Sequence, residues 1–193
     1  MIVQALEPQD AELIAELAAD YYPEEMQFEA SEIAEALASA VDEGGNFSLG
    51  LVERGQLMAY MLAWLEESRL EGLRESVVLI DDLALATGQV ADLRLLISHL
   101  VRQLQDAGLS HLAIEGSLLP DTRDIFEGQQ RFFSSLGYEL VASQEYWEDE
   151  LGAELIWVRY ERPAEVEAEA STGEGWDGSE FASQTEEFEE LPE

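Results

Sequence analysis

Two adjacent carboxyls, Asp81 and Asp82, interrupt an otherwise almost continuously apolar run from Ser76 to Ala86. An unpartnered acid at the centre of an apolar strand is costly, so such a pair needs compensation. Strand alternation places one of the two on each face. Either can then serve as general base for an ammonium substrate, directly or through water. The competing reading is a locally solvated bulge or a strand end facing water. Glu115, at the end of the next strand, reads as a weaker second base or as a surface acid. His99 and His111 have neither helical spacing nor an adjacent carboxylate, so no metal is expected. Neither Gly-x-Ser-x-Gly nor His-Glu-x-x-His occurs, which leaves hydrolase chemistry without local support. Cysteine and lysine are absent, and all nine basic residues are arginine. Thiolate nucleophiles, disulfides, Cys-ligated zinc and Schiff bases are thereby excluded.

The elements that must hold these residues follow from period and punctuation. Ile2 to Leu6 reads as a strand closed by Pro8, and Asp10 as the N-cap of a helix bearing Leu13, Ile14, Leu17 and Tyr21, ended by Pro23. Ser31 caps a second helix, with Ile33, Leu37 and Val41 inward and Gly44-Gly45 as its stop. Phe47 to Val52 and Leu57 to Leu65 are strand-like and separated by Glu53-Arg54-Gly55-Gln56, which is hairpin chemistry. Ser76 to Ala86 reads as a strand buried on both faces. Leu93, Leu96, Ile97, Leu100, Val101 and Leu104 give an amphipathic helix over 91–107. His111 to Glu115 is a strand, Phe126 to Leu136 a helix stopped by Gly137, and Tyr138 to Val141 and Leu155 to Tyr160 paired closing strands. The predicted order is β-α-α-β-β-β-α-β-α-β-β, an α/β domain with a mixed central sheet of about seven strands and about four flanking helices.

That domain is expected to span residues 1–161, with 162–193 a disordered acidic tail: beyond Arg162 there are 11 acids, no base and no apolar period. The whole chain of 193 residues carries 43 acids against nine arginines, a formal charge of -34. Nucleic acid and anionic membrane are excluded as partners by that field. No apolar run reaches the roughly 18 residues of a membrane span and the N-terminus lacks a basic signal region, so a cytoplasmic protein is expected.

Leu83-Ala84-Leu85 running into a long helix, the strand His111 to Glu115, and Arg131-Phe132-Phe133-Ser134-Ser135-Leu136-Gly137-Tyr138 together resemble the GNAT acyltransferase superfamily. The last stretch is similar to the family's F-Y-x-x-L-G-F, and the resemblance covers residues 1 to 160. It implies a sheet splayed between the fourth and fifth strands, with acyl-CoA in the gap and its pyrophosphate on the N-terminus of the third helix. A helix N-terminus suits an anion because its N–H groups are unpaired and carry about half a positive charge. The family's Q/R-x-x-G-x-G/A signature falls on Gly88, Gln89, Val90, Ala91, Asp92 and Leu93, where only Ala91 is close to the pattern. Phe126 and Phe133 stand where the family carries an asparagine and a proton-donating tyrosine.

The resemblance implies transfer of an acetyl group from acetyl-CoA to a primary amine. The backbone N–H groups near Leu83 to Leu85 would steady the oxyanion and Asp81 or Asp82 would relay the amine proton. The acidic surface favours a cationic amine acceptor, and a homodimer is compatible with the sequence. The alternative is a GNAT-fold binding or regulatory protein without catalysis, docking a basic protein partner through Trp176, Phe181 and Phe188 of the tail.

Overall fold

A computed structural model describes residues 1–23, 26–68, 74–86, 88–118, 128–148 and 153–163. The acidic segment beyond Pro163 and the candidate position Phe126 lie outside the described residues. The elements are β1 (Ile2–Ala5), a 3-10 turn (Pro8–Asp10), α1 (Ala11–Tyr21), α2 (Ala30–Asp42), β2 (Leu49–Glu53), β3 (Gln56–Glu67) and β4 (Ser76–Leu85). There follow α3 (Val90–Asp106), β5 (Ile114–Leu118), α4 (Gln130–Ser135), β6 (Glu139–Glu148) and β7 (Ala153–Glu161). The seven strands form one mixed sheet in the order β1-β2-β3-β4-β5-β7-β6. Only β4 and β5 run parallel. The predicted fold class and element order are thus borne out.

Several local expectations are corrected. Asp10 holds the N-cap position of α1 as read, but its side chain closes a capping box with Glu7 one 3-10 turn earlier and gives α1 no side-chain capping bond. Glu29 and Glu32 form a capping box for α2 in place of Ser31. Leu13 and Val41 face solvent. The fifth strand begins at Ile114, leaving His111 in the preceding turn. The sixth runs on to Glu148, well past Val141, whose side chain is turned outward by a bulge against β7. The β2–β3 turn is as read: Arg54 and Gly55 both have positive φ, 52° and 83°, the pair of left-handed residues a type I′ hairpin needs.

Two cores sandwich the sheet. Leu93, Leu96, Ile97, Leu100 and Leu104 of α3 pack on Ala59, Met61 and Ala63 of β3 and on Val78, Ile80, Leu83 and Leu85 of β4. On the opposite face, Ile14 and Leu17 of α1 and Ile33 and Leu37 of α2 pack on Tyr60, Leu62 and Ala84. The jump on β4 from Ile80 to Leu83 on the α3 side shows where its alternation breaks. Leu62 pairs with Asp82 and Ala63 with Ile80, so Asp81 is an extra residue, a β-bulge.

The bulge coincides with a parting of strands. Pairing between β4 and β5 stops at Ile80 and Gly116, and the two strands separate beyond that point. Their closed end is tied by Arg159 of β7, which bonds Glu115 of β5 at 2.5 Å, Glu161 at 2.5 Å, and Glu75. Ser68 donates to the same Glu115 oxygen at 2.7 Å. Glu115 is fully buried and ion-paired, which corrects its reading as a base or surface acid. Its other oxygen, Oε2, is buried and meets no donor among the described residues.

Candidate functional site

The bulge puts both carboxyls of the central pair on one side. Asp81 and Asp82 lie on the α1–α2 face and not one on each face, because one residue of alternation is spent on the bulge. They line a cavity of about 220 Å³ with Glu32, Ile33 and Ala36 of α2, Phe28 ahead of it, and Leu62 and Trp64 of β3. Three acids and two aromatic rings in one recess suit an ammonium group on an apolar stem: charge pairs with the acids, and the rings add cation–π attraction.

Asp82 is the better held of the pair. Its Oδ2 is 2.6 Å from the Tyr60 hydroxyl and its Oδ1 2.5 Å from that of Tyr22. Tyr60 is two residues along from the position opposite Asp82, a diagonal neighbour on the same face. Tyr22 arrives from α1. Pro23 forces the residue before it out of helical geometry, and Tyr22 accordingly turns extended (φ -104°, ψ 149°) and reaches across the sheet. Burial first, then the neighbouring carboxyl, push both phenols far above their ordinary range, so each keeps its hydrogen. Burial also raises Asp82, opposed by the hydrogen bonds from Tyr22, Tyr60 and the Leu83 N–H.

The same cluster covers the backbone edge that the parting strands uncover. Val78 N–H points to the β5 side and donates to Ala113 at 2.9 Å, while Ala86 N–H points to the β3 side and donates to Met58 at 3.0 Å. Counting through the bulge, Leu83 and Leu85 present their N–H groups to the open side. Leu83 N–H is taken by Asp82 Oδ1 at 2.8 Å, and its carbonyl is met by the Tyr22 hydroxyl at 2.8 Å. Of the expected oxyanion donors Leu83 is therefore occupied, and Leu85 is the one that faces the opening.

At the N-terminus of α3, Gly88 takes φ 60° and Gln89 is the extended N-cap, with no side-chain capping bond. Gln89 and Ala91 are exposed and Val90 half-buried, so an anion can approach the first turn from outside. Asp92 and Leu93 point inward: Leu93 lies in the main core, and Asp92 is a buried carboxylate in the same turn. Leu93 therefore does not obstruct the outer rim as its place in the signature suggests. Phe133 of α4 is fully buried and stacked on Tyr160, ring centroids 3.9 Å apart. Arg94 Nε donates to Gln129 at 2.7 Å, and its guanidinium lies 5.6 Å from the Phe132 ring. No cluster able to hold a metal occurs among the described residues. Among them too, no helix is long and apolar enough to cross a membrane.

No family model and no curated protein matches the sequence. Solved structures match in shape. A GNAT-like decarboxylase, GphF, in complex with isobutyryl-CoA superposes with a TM-score of 0.60 at 12% identity, over 84% of this chain and all of its own. The ribosomal-protein-S18-alanine N-acetyltransferase of Escherichia coli gives 0.58 at 13% identity, over 86% of this chain and 97% of its own. The chain has the GNAT fold. The diaminobutyrate acetyltransferase EctA of Paenibacillus lautus, solved with its diamino acid substrate and coenzyme A, gives 0.58 at 13% identity over 83% and 94% of the two chains. The resemblance read from Leu83 to Leu85 and Arg131 to Tyr138 is thus borne out as fold. GNAT architecture hosts both a decarboxylase and acetyltransferases, so the reaction must be argued from the site.

What the sequence does not announce is Tyr22 and Tyr60, which come from 60 and 22 residues away to meet Asp82. A tyrosine immediately before the helix-ending Pro23 is the one local signal for the first of them.

Proposed function

We propose that this protein transfers an acyl group, acetyl in the simplest case, from acyl-CoA to a primary amine of a cationic acceptor. The observation that carries the reading is the acidic, ring-walled cavity set against the bulge where β4 and β5 part. Acyl-CoA supplies a thioester carbonyl, and turnover exchanges its C–S bond for a C–N bond as a proton leaves the amine. The outer rim from Gly88 to Ala91 would hold the diphosphate, and Leu85 N–H would orient the carbonyl. Asp81 and Glu32 attract the ammonium, and Asp81 receives the proton that makes the amine a nucleophile. Phe133 offers no proton to the leaving thiolate, which then relies on water. The structures solved with a CoA ester or with a diamino acid and coenzyme A support the pairing of substrates. The test is calorimetric titration with acetyl-CoA, followed by thiol release in the presence of a polyamine, a diamino acid or a peptide N-terminus. Absence of CoA binding up to about 1 mM, the upper end of ordinary KM values, overturns the proposal.

A second reading, a binding module without catalysis, is favoured by one specific observation. Asp92 places the chain's own carboxylate, buried, in the turn a diphosphate would need, where it competes for the positive end of the helix. Titration with CoA separates the two readings.

A further inference from the structure

Counting hydrogens around Tyr22 leads beyond a generic pair of carboxylates. Its single hydroxyl hydrogen faces two acceptors, Leu83 C=O at 2.8 Å and Asp82 Oδ1 at 2.5 Å. Were Asp82 ionised, one of these oxygen–oxygen contacts would contain no hydrogen and would be repulsive at that distance. A proton on Asp82 resolves both: Asp82 donates to the Tyr22 oxygen, and Tyr22 donates to the Leu83 carbonyl, on a strand edge whose pairing with β5 ends at Ile80. Tyr60 still donates to Oδ2, and Leu83 N–H still finds a lone pair on Oδ1. Every polar atom of the cluster is then satisfied.

We propose that Asp82 is protonated at neutral pH, as the acid of a Tyr60–Asp82–Tyr22–Leu83 chain, and that Asp81 and Glu32 alone carry the charge the cavity presents to an amine. The groups facing Asp82 fit this assignment. Tyr60 comes from β3, Asp81 adjoins it on β4, Tyr22 and behind it Tyr21 come from α1, and Glu32 comes from α2. None of these described groups is a cation, and what favours a carboxylate is the hydrogen bonds donated to it, those of Tyr60 and the Leu83 N–H remaining in either state. Burial acts in the same direction. Within the acyl-transfer reading, on which this last step rests, the two aspartates divide the work. Asp81 binds the ammonium and takes its proton. Asp82 keeps the uncovered edge of β4 in place and is a positioning residue.

The decisive measurement needs no substrate. In full-length protein labelled with 13C at the aspartate carboxyls, one of the 11 aspartates should keep the chemical shift of a protonated acid at pH 7, and Asp82→Asn should remove that resonance. If that variant does not fold, Tyr60→Phe, which withdraws one hydrogen bond from the same carboxyl, should move it. A spectrum at pH 7 with every aspartate ionised, or a protonated resonance untouched by these changes, overturns the proposal. The proton also links to stability with a fixed sign. The folded form holds it above the ordinary carboxyl range, so its contribution is complete in acid and is lost as pH rises through the raised value. Asp82→Asn cannot ionise, so its Tm relative to the parent should rise steadily between pH 5 and pH 7. If acetyl transfer occurs, Asp81→Asn should raise the amine KM at least tenfold; if no transfer occurs at all, the spectrum still decides the protonation.

Discussion

Arg159 is the cation shared by Glu75, Glu115 and Glu161 at the closed end of the parted strands, and replacing it by methionine isolates what that sharing contributes. Methionine keeps an unbranched stem against the sheet and removes the charge. Glu75 and Glu161 have side chains 51% and 42% exposed, so both return to water, and each bond contributes at most about 1 kcal/mol. Glu115 is 0% exposed and cannot. Stranding one member of a buried pair costs about 3–5 kcal/mol, so the variant should lose roughly that much. At about 2–4 °C per kcal/mol for a domain of this size, Tm should fall by roughly 6–20 °C, measured by circular dichroism. Glu115→Leu added to Arg159→Met removes the stranded charge, and the double variant should recover at least half of the loss. A single variant that melts within a degree or two of the parent, or a double variant no better than the single, refutes the account of how β5 and β7 are held to β4.

Leu93→Ala should cost about 3–5 kcal/mol by chemical unfolding, because Leu93 is a core residue of α3; a gain in CoA affinity on Leu93→Gly in a folded variant would contradict its inward position. Phe133→Tyr should lower stability by about 1–3 kcal/mol, read from urea unfolding, since the added hydroxyl enters a fully buried stack with Tyr160. If acid catalysis limits turnover, the same change should raise kcat by roughly 10²-fold. Truncation after Pro163 should leave Tm within a few degrees, because the described body ends with Arg162 set over Tyr138, 5.0 Å from its ring.

The sequence made the sheet and its helices legible because their apolar periods are long and their stops unambiguous. Ser76 to Ala86 announces a strand covered on both sides, and the α3 stripe from Leu93 to Leu104 announces its main cover. The centre of the site was legible too, since two acids in such a strand demand an explanation. A bulge at the pair was one of the two readings the acids allowed, but it is the register between strands that turns both to the same face, and residue types do not record it. Glu115 was misread for a related reason. An acid in a short strand looks like a surface residue until its partner, 44 positions later, is in view. The length of β6 escaped because Ala142 to Glu148 lacks alternation, its pairing with β7 being set by backbone hydrogen bonds at the edge of the sheet. The carboxyl cluster itself depends on tertiary approach, and no spacing rule links Tyr22 or Tyr60 to Asp82.

The bulge at Asp81 has a bearing on how such a site is lost or kept. If that one residue were deleted, Ile80 and Asp82 would become neighbours opposite Ala63 and Leu62, and the strand would alternate without interruption. Leu83 and Leu85 would keep their places toward α3, and Ala84 its place toward α1 and α2. A three-nucleotide deletion at this position would thus erase an acid from the cavity and leave both apolar faces in frame, whereas the same deletion two residues earlier would turn Ile80 and Val78 against opposite layers. In β4 the dispensable letter of the reading frame is the one that lines the cavity.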